Sequence, residues 1–203
     1  MATDEAGFLG QRFEEALVYA TRLHALQMRK AKTTPYISHL MAVASMVLEC
    51  GGNEDEAISA LLHDAAEDQG GQSVLDEISK RFGQRVAGVV AECSDSLIDS
   101  DAEDKQPWRE RKEVFLARLR TASSSCRLVT ACDKLHNIGD VLADHAVQGD
   151  AVFERFSGGR EGSAWYYREA AGILAADDNR AARDLVAASV ELDRRLGLDQ
   201  EHR

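Results

Sequence analysis

Two prolines in 203 residues, Pro35 and Pro107, leave this chain almost free of helix breakers. Proline removes a backbone donor and clashes with the turn before it, so its scarcity lets helices run until glycine or a polar break stops them. Apolar residues recur at helical spacing, and β-branched runs at period two are few. These features predict an all-α fold. Phe13, Ala16, Leu17, Ala20 and Leu23 form one stripe and predict a first helix over about residues 7–29. Ser38 is placed to cap a second helix carrying Leu40, Val43, Ala44, Val47 and Leu48, ended by Gly51-Gly52. Asn53 with Glu56 has the form of a capping box, opening a helix expected to continue through His63 to Gly70-Gly71. Ser73 and Asp76 open the next, with Leu75, Ile78 and Phe82, and Gly83 separates it from a stripe of Val86, Val89 and Val90. Residues 94–106 are polar, acidic and aperiodic, and read as a mobile loop or lid. Pro107 suits the first position of a helix reaching about Arg120. Further helices are expected over about residues 127–146, 165–175 and 181–196, the last on the outside with a frayed tail, DQEHR.

A net charge of −11 argues against nonspecific binding to nucleic acid or to an anionic membrane, both of which need an extended basic face. No apolar run approaches the roughly 18 residues of a membrane span. The opening MATDEAGFLGQRFEE lacks the apolar core of a secretory signal, so a cytoplasmic location is expected. Cys50, Cys93, Cys126 and Cys132 have no metal-knuckle spacing and are expected to be reduced, mostly buried thiols. A small, highly phosphorylated ligand remains compatible with this acidity, because it needs only a local cluster of Arg and Lys or a metal. Arg29, Lys30 and Lys32 make the first dense positive cluster, which also suits a helix C-terminus.

The chemistry concentrates in residues 61–71, LLHDAAEDQGG. On one continuous helix His63 would lie above Glu67 and Asp64 above Asp68, all on one side. Leu61 and Leu62 lead into the cluster and pull it toward a core, where carboxylates need a metal or a cationic partner. With His39 and Asp133 it forms a mixed nitrogen and oxygen donor set suited to a divalent ion of the Mn, Fe, Zn or Mg type.

The order His39, His63-Asp64, Asp133 resembles the HD-domain superfamily of metal-dependent phosphohydrolases. More narrowly, RK-x4-PYISH (Arg29 to His39), ALLHDAAED (Ala60 to Asp68) and DKLHN (Asp133 to Asn137) resemble the RelA/SpoT-type alarmone hydrolases, over roughly residues 14–146. The resemblance implies a single HD-domain helical bundle with additional C-terminal helices, and removal of the 3′-pyrophosphate from (p)ppGpp. It implies one divalent metal ion, Mn2+ foremost, held by His39, His63, Asp64 and Asp133. Glu67 and Asp68 match the acidic pair that orients or deprotonates the attacking water and manages the leaving oxygen. Arg29, Lys30, Lys134 and Asn137 match substrate-binding positions, with a phosphorylated nucleotide as partner. His136 stands where family members also carry tyrosine and is left out of the ligand set.

Three departures from the family pattern bear on the substrate. Gln69 stands where the family usually has threonine, Gly139-Asp140 replaces a more basic stretch, and the C-terminal third, including FSGGREGSAWYYREA, has no match. The expected division is therefore an HD core over residues 1–148 and a helical extension packed on it over residues 149–203. The alternatives are an HD-type phosphatase or phosphodiesterase for another nucleotide, and a ligand-binding HD module without turnover. A retained Glu67-Asp68 pair disfavours the last. The oligomeric state is left open, a homo-oligomer included.

Overall fold

The computed structural model describes residues 9–95 and 106–198. Among these the regular structure is helical, and the extended pairing is confined to one antiparallel bridge between Met28 and Pro35. No helix among the described residues is long and apolar enough to cross a membrane. The expected start of the first helix and the C-terminal tail lie outside the described residues, as does most of the expected lid, residues 96–105.

Helix α1 (Gln11–Leu23) ends well before Arg29. The chain then doubles back as a narrow hairpin, with Arg29 N donating to Thr34 O at 2.8 Å and Tyr36 N to Gln27 O at 2.9 Å. Pro35 cannot continue a helix, and this turn places Ala31 at φ 55°. Helix α2 (Ile37–Glu49) starts directly from the hairpin. Ser38 therefore lies inside its first turn and does not cap it; the chain direction is set by Ser38 N and His39 N bonding to Pro35 O and Tyr36 O.

Helix α3 (Glu54–Leu62) opens with the expected capping box, Glu56 N donating to Asn53 Oδ1 at 3.2 Å and Asn53 N to Glu56 Oε2 at 2.8 Å. Every residue from Ala57 to Leu62 is buried, so α3 is a core rod whose C-terminal end delivers His63. Asn53→Ala is expected to lower stability by about 1 kcal/mol. Thermal unfolding checks this, and an unchanged midpoint would remove the cap from the account.

Helix α4 (Ala65–Gln69) is followed by α5 (Gly71–Phe82) and α6 (Gln84–Cys93), separated at Gly83 (φ 94°) as the sequence suggests. Helix α5 begins two residues before Ser73, whose hydroxyl donates to Gly70 O instead of capping. Pro107 is the cap of α7 (Trp108–Leu119), one position earlier than expected, and its extended ψ of 144° turns the chain into the helix. Ser123 caps α8 (Ser124–Gln148) through Cys126 N, so this helix also starts earlier than its apolar stripe. A 3₁₀ segment at Gly149–Arg155, then α9 (Gly159–Leu174) and α10 (Arg180–Arg195), complete the described chain. Helix α9 begins ahead of Trp165, and the glycines at its start seat Trp108: a Cβ at Gly158 would fall 2.5 Å from the indole, and one at Gly162 at 3.0 Å. This close approach joins α7 to α9.

The long α8 packs against α2, α3, α6, α9 and α10, and α3 against α1, α2, α6 and α8. Leu61, Leu62, Ala65 and Ala66 all enter the core, each large apolar side chain worth roughly 1.5–3 kcal/mol on burial. The packing of α2, α3 and α8 brings His39, His63 and Asp133 to one place.

Candidate active site

His63 and Asp64 interrupt what the sequence reads as one continuous helix. His63 Nδ1 lies 2.8 Å from Ala60 O and donates to it, occupying the carbonyl that the Asp64 N–H would use in a continuing helix. Helix α3 stops at Leu62, and Asp64 becomes the N-cap of α4. The expected continuous helix is thus broken by a turn, yet His63, Asp64, Glu67 and Asp68 still line one cavity. Glu67 and Asp68 lie on α4, a five-residue helix whose first and last turns overlap, and not at the C-terminal end of one long helix.

Four polar atoms from three elements converge. His39 Nε2 is 3.1 Å from Asp133 Oδ1 and 3.8 Å from Asp64 Oδ2. His63 Nε2 is 3.0 Å from Asp64 Oδ2 and 3.5 Å from Asp133 Oδ1. Both imidazoles are buried, and neither Nε2 has a hydrogen bond of acceptable geometry. With Nδ1 of His63 donating to Ala60 O, Nε2 is the nitrogen its ring turns toward the carboxylates, and a bound cation would take the place of the proton that Asp64 and Asp133 favour there. Two imidazole nitrogens facing two carboxylates make a donor set that fits a divalent cation. Among the described residues, His39, His63 and Asp64 offer ligand atoms that all lie within 4.8 Å of one another. Asp133 Oδ1 closes the set, while His136 approaches from behind, its Nδ1 2.9 Å from His39 Nδ1.

Neighbouring groups brace the ligands. Tyr36 donates its hydroxyl to Asp64 Oδ2 at 2.5 Å, Lys134 Nζ reaches Asp133 Oδ2 at 2.6 Å, and Asn137 Nδ2 reaches Asp133 Oδ1 at 2.6 Å. Burial alone would lift both ligand carboxyls, yet His63 beside Asp64 and Lys134 beside Asp133 hold them below the usual range. Burial works against a charged His63, but Asp64 and Asp133 outweigh it and raise its pKa well above the ordinary value. Burial lowers that of His39. The cluster thus concentrates negative charge that a bound cation would share.

The acidic pair is of another kind. Burial first, then Asp95, lifts the Glu67 carboxyl to about 7, and burial with Asp64 lifts that of Asp68. Asp95 N donates to Glu67 Oε2 at 3.3 Å, and the Asp95 carboxylate is gripped by Arg111 at 2.9 Å and Lys112 at 2.5 Å. A raised carboxyl pKa means that the folded state holds its proton more tightly than the unfolded chain. Stability of chelator-treated protein should therefore fall as pH climbs from about 4.5 to about 7, by roughly 3 kcal/mol from Glu67. Glu67→Gln should remove that decline, gaining on wild type at pH 8 and not at pH 4. Equal differences in melting temperature at the two pH values would contradict this.

The substrate-side residues lie next to the cluster. A cavity of about 160 Å³ opens on His63, Asp64 and Asp133 and reaches Glu67 and Asp68. A second, of about 540 Å³, adjoins it through Tyr36, Asp68, Lys112, Lys134, Asn137 and Tyr166. Arg29 and Lys30 line the larger one. Arg29 donates to Asn137 Oδ1 at 2.8 Å and to Asp140 at 2.9 Å, whereas Lys30 is exposed, its ammonium 5.8 Å from the Phe156 ring centre. Lys134 faces both cavities but is already paired with Asp133.

Sequence reasoning missed four groups here: Tyr36 as a partner of Asp64, Lys112 and Arg111 from α7, and Tyr166 from α9. The RERK run after Pro107 was a visible signal for α7. Tyr166, whose ring lies 5.1 Å from Lys112 Nζ and 5.5 Å from Lys134 Nζ, sits in the segment where the sequence alone showed no family motif.

The HD domain family matches the chain over residues 16–163. The guanosine-3′,5′-bis(diphosphate) 3′-pyrophosphohydrolase MESH1 of Xenopus tropicalis is 37% identical over 131 residues, 63% of this chain and 68% of that protein. Its human counterpart is 36% identical with the same coverage, and that of Drosophila melanogaster is 32% identical over 139 residues, 67% of this chain and 73% of that one. Among solved structures, one described as a metazoan ortholog of SpoT that hydrolyzes ppGpp aligns with a TM-score of 0.71 at 27% identity, covering 94% of this chain and 98% of its own.

Proposed function

The chain belongs to the HD domain family, and on that premise we propose that it is a metal-dependent phosphohydrolase removing the 3′-pyrophosphate from guanosine 3′,5′-bis(diphosphate). The observation that carries this reading is one buried donor set beside a cation-lined cavity in a chain of net charge −11. Acidity elsewhere with Arg29, Lys30, Lys112 and Lys134 gathered here suits a small, highly phosphorylated ligand. Its relatives' printed activity supplies the guanosine and the 3′ position.

His39, His63, Asp64 and Asp133 are the ligands in this reading, a mixed imidazole and carboxylate set that suits a divalent ion, and Mn2+ is the ion we favour from the resemblance to the alarmone hydrolases. Such an ion, when bound, supplies Lewis-acid chemistry, lowering the pKa of water and drawing charge from a phosphoryl oxygen. Glu67 and Asp68, on α4, face the cavity and exchange protons with the attacking water and the leaving oxygen. The water oxygen bonds to the phosphorus carrying the ribose 3′-oxygen, the bond from phosphorus to that 3′-oxygen breaks, and the 3′-oxygen takes a proton as pyrophosphate departs. Arg29 and Lys30 offset phosphate charge. Residues 1–148 act as the core, and residues 149–203 extend it, with Tyr166 closing the site. We place the protein in the cytoplasm.

Arg29→Ala is expected to raise KM by about 10- to 100-fold, a loss of roughly 1–3 kcal/mol for a charged hydrogen bond, and to flatten the salt dependence of KM. Lys30→Ala should have a smaller effect, since its ammonium is exposed. KM unchanged in both would confine these residues to bracing the α1–α2 hairpin. The function itself is tested with a nucleotide panel on Mn-loaded protein: turnover of ppGpp and pppGpp with GTP and GDP inert is expected. Preference for a nucleotide without a 3′-phosphate would favour another HD-type phosphohydrolase.

A further inference from the structure

Asp68 is held from behind by a hydrogen-bonded chain in the α1–α2 hairpin that the reaction itself does not use. Gln27 Nε2 donates to Asp68 Oδ2 at 2.8 Å. Its Oε1 accepts from Gln69 Nε2 at 2.7 Å and lies 2.7 Å from His24 Nδ1, which is therefore the protonated ring nitrogen. An amide oxygen with two donors on it cannot exchange places with its nitrogen without setting N–H against N–H, so the orientation of Gln27 is fixed. Its backbone is fixed as well, because Tyr36 N donates to Gln27 O at 2.9 Å and Gln27 N to His24 O at 3.0 Å. His24 is 2% exposed and stacks on Tyr36, ring centres 5.4 Å apart. Tyr36 in turn holds Asp64. One small hairpin thus grips a proposed metal ligand through Tyr36 and a proposed proton-transfer carboxylate through Gln27.

We infer that Gln27, locked by His24 and Gln69, is a positioning residue that sets how Asp68 presents its carboxylate to the reacting groups. With Oδ2 tied to Gln27, the remaining oxygen is the one available to the cavity. The inference rests on the reading of Asp68 as a group that moves protons in turnover. A merely structural role, tying the hairpin to α4, would cost stability and would not act through Asp68.

The test is a double-mutant cycle on the full-length, metal-loaded protein with ppGpp, measured by single-turnover kinetics. Gln27→Met keeps the length of the side chain and removes all three of its side-chain hydrogen bonds, to Asp68, Gln69 and His24. It should lower kcat by about 10- to 100-fold, with KM and metal content unchanged, as expected when a reacting group is misplaced. In an Asp68→Asn background the same change should add nothing, because the effect runs through that carboxylate. Gln69→Ala, which frees the Gln27 amide to turn over, should give a smaller fall in kcat and serves if Gln27→Met folds poorly. Equal losses in both backgrounds, a fall that tracks metal content, or unchanged kcat in both single variants would overturn the inference. Full turnover in Asp68→Asn alone would instead remove the reading of Asp68 on which it stands, and the inference with it.

Discussion

Alanine in place of His63 or of Asp133 is expected to strip the divalent ion from the protein and abolish turnover. His63 Nε2 and Asp133 Oδ1 sit at the centre of the donor set, and each faces two other candidate ligands within 4 Å. Loss of a bracing group outside the ligand set commonly weakens a metal site about 10- to 100-fold, so loss of a ligand should exceed that. The two variants should differ in their side effects. His63→Ala leaves Asp64 and Asp133 facing each other without the intervening imidazole, so it should destabilise the metal-free protein. Asp133→Ala leaves the Lys134 ammonium, half-buried beside Phe115 and Tyr166, without its carboxylate. Metal content and affinity, measured beside thermal stability, separate a lost site from a lost fold. Unchanged stoichiometry and affinity in both variants would show that the ion binds elsewhere.

Glu67→Gln and Asp68→Asn should each reduce kcat by about 10²–10⁴-fold while metal content and substrate affinity survive. Both changes keep the shape of the side chain and remove the carboxylate that can take a proton. The Glu67 carboxyl, lifted to about 7 by burial and Asp95, can change its protonation state near neutrality. Its replacement should thus raise the stability of the metal-free protein above neutral pH while removing activity, a pairing expected of a group strained for function. Metal loss in either variant would make that carboxylate a ligand, and retained kcat would make it a bystander.

What the sequence disclosed was what is local. The capping box at Asn53 and Glu56, the break at Gly83 and the stripes of the long helices depend on near neighbours and were legible from spacing. The interruption at His63-Asp64 was not, because it depends on an imidazole taking a backbone carbonyl from its own helix. The hairpin after Leu23 was likewise hidden, since residues 24–29 look helical until Tyr36 returns to pair with Gln27. At the site, residue types and their order pointed to the donor set through a family resemblance, while convergence of α2, α3 and α8 is a tertiary fact that no spacing encodes. Tyr166 and Lys112 reach the cavities from helices far along the chain. Gln69, a departure from the family pattern, turned out to be the donor that locks Gln27.

The most direct measurement of the central claim is product analysis of ppGpp turned over by Mn-loaded protein in 18O-labelled water. The account expects one pyrophosphate for each GDP, with the heavy oxygen in the pyrophosphate, and no reaction after chelation until metal is restored. Orthophosphate as the product, label on the ribose 3′-oxygen, or full turnover by chelator-treated protein would contradict it.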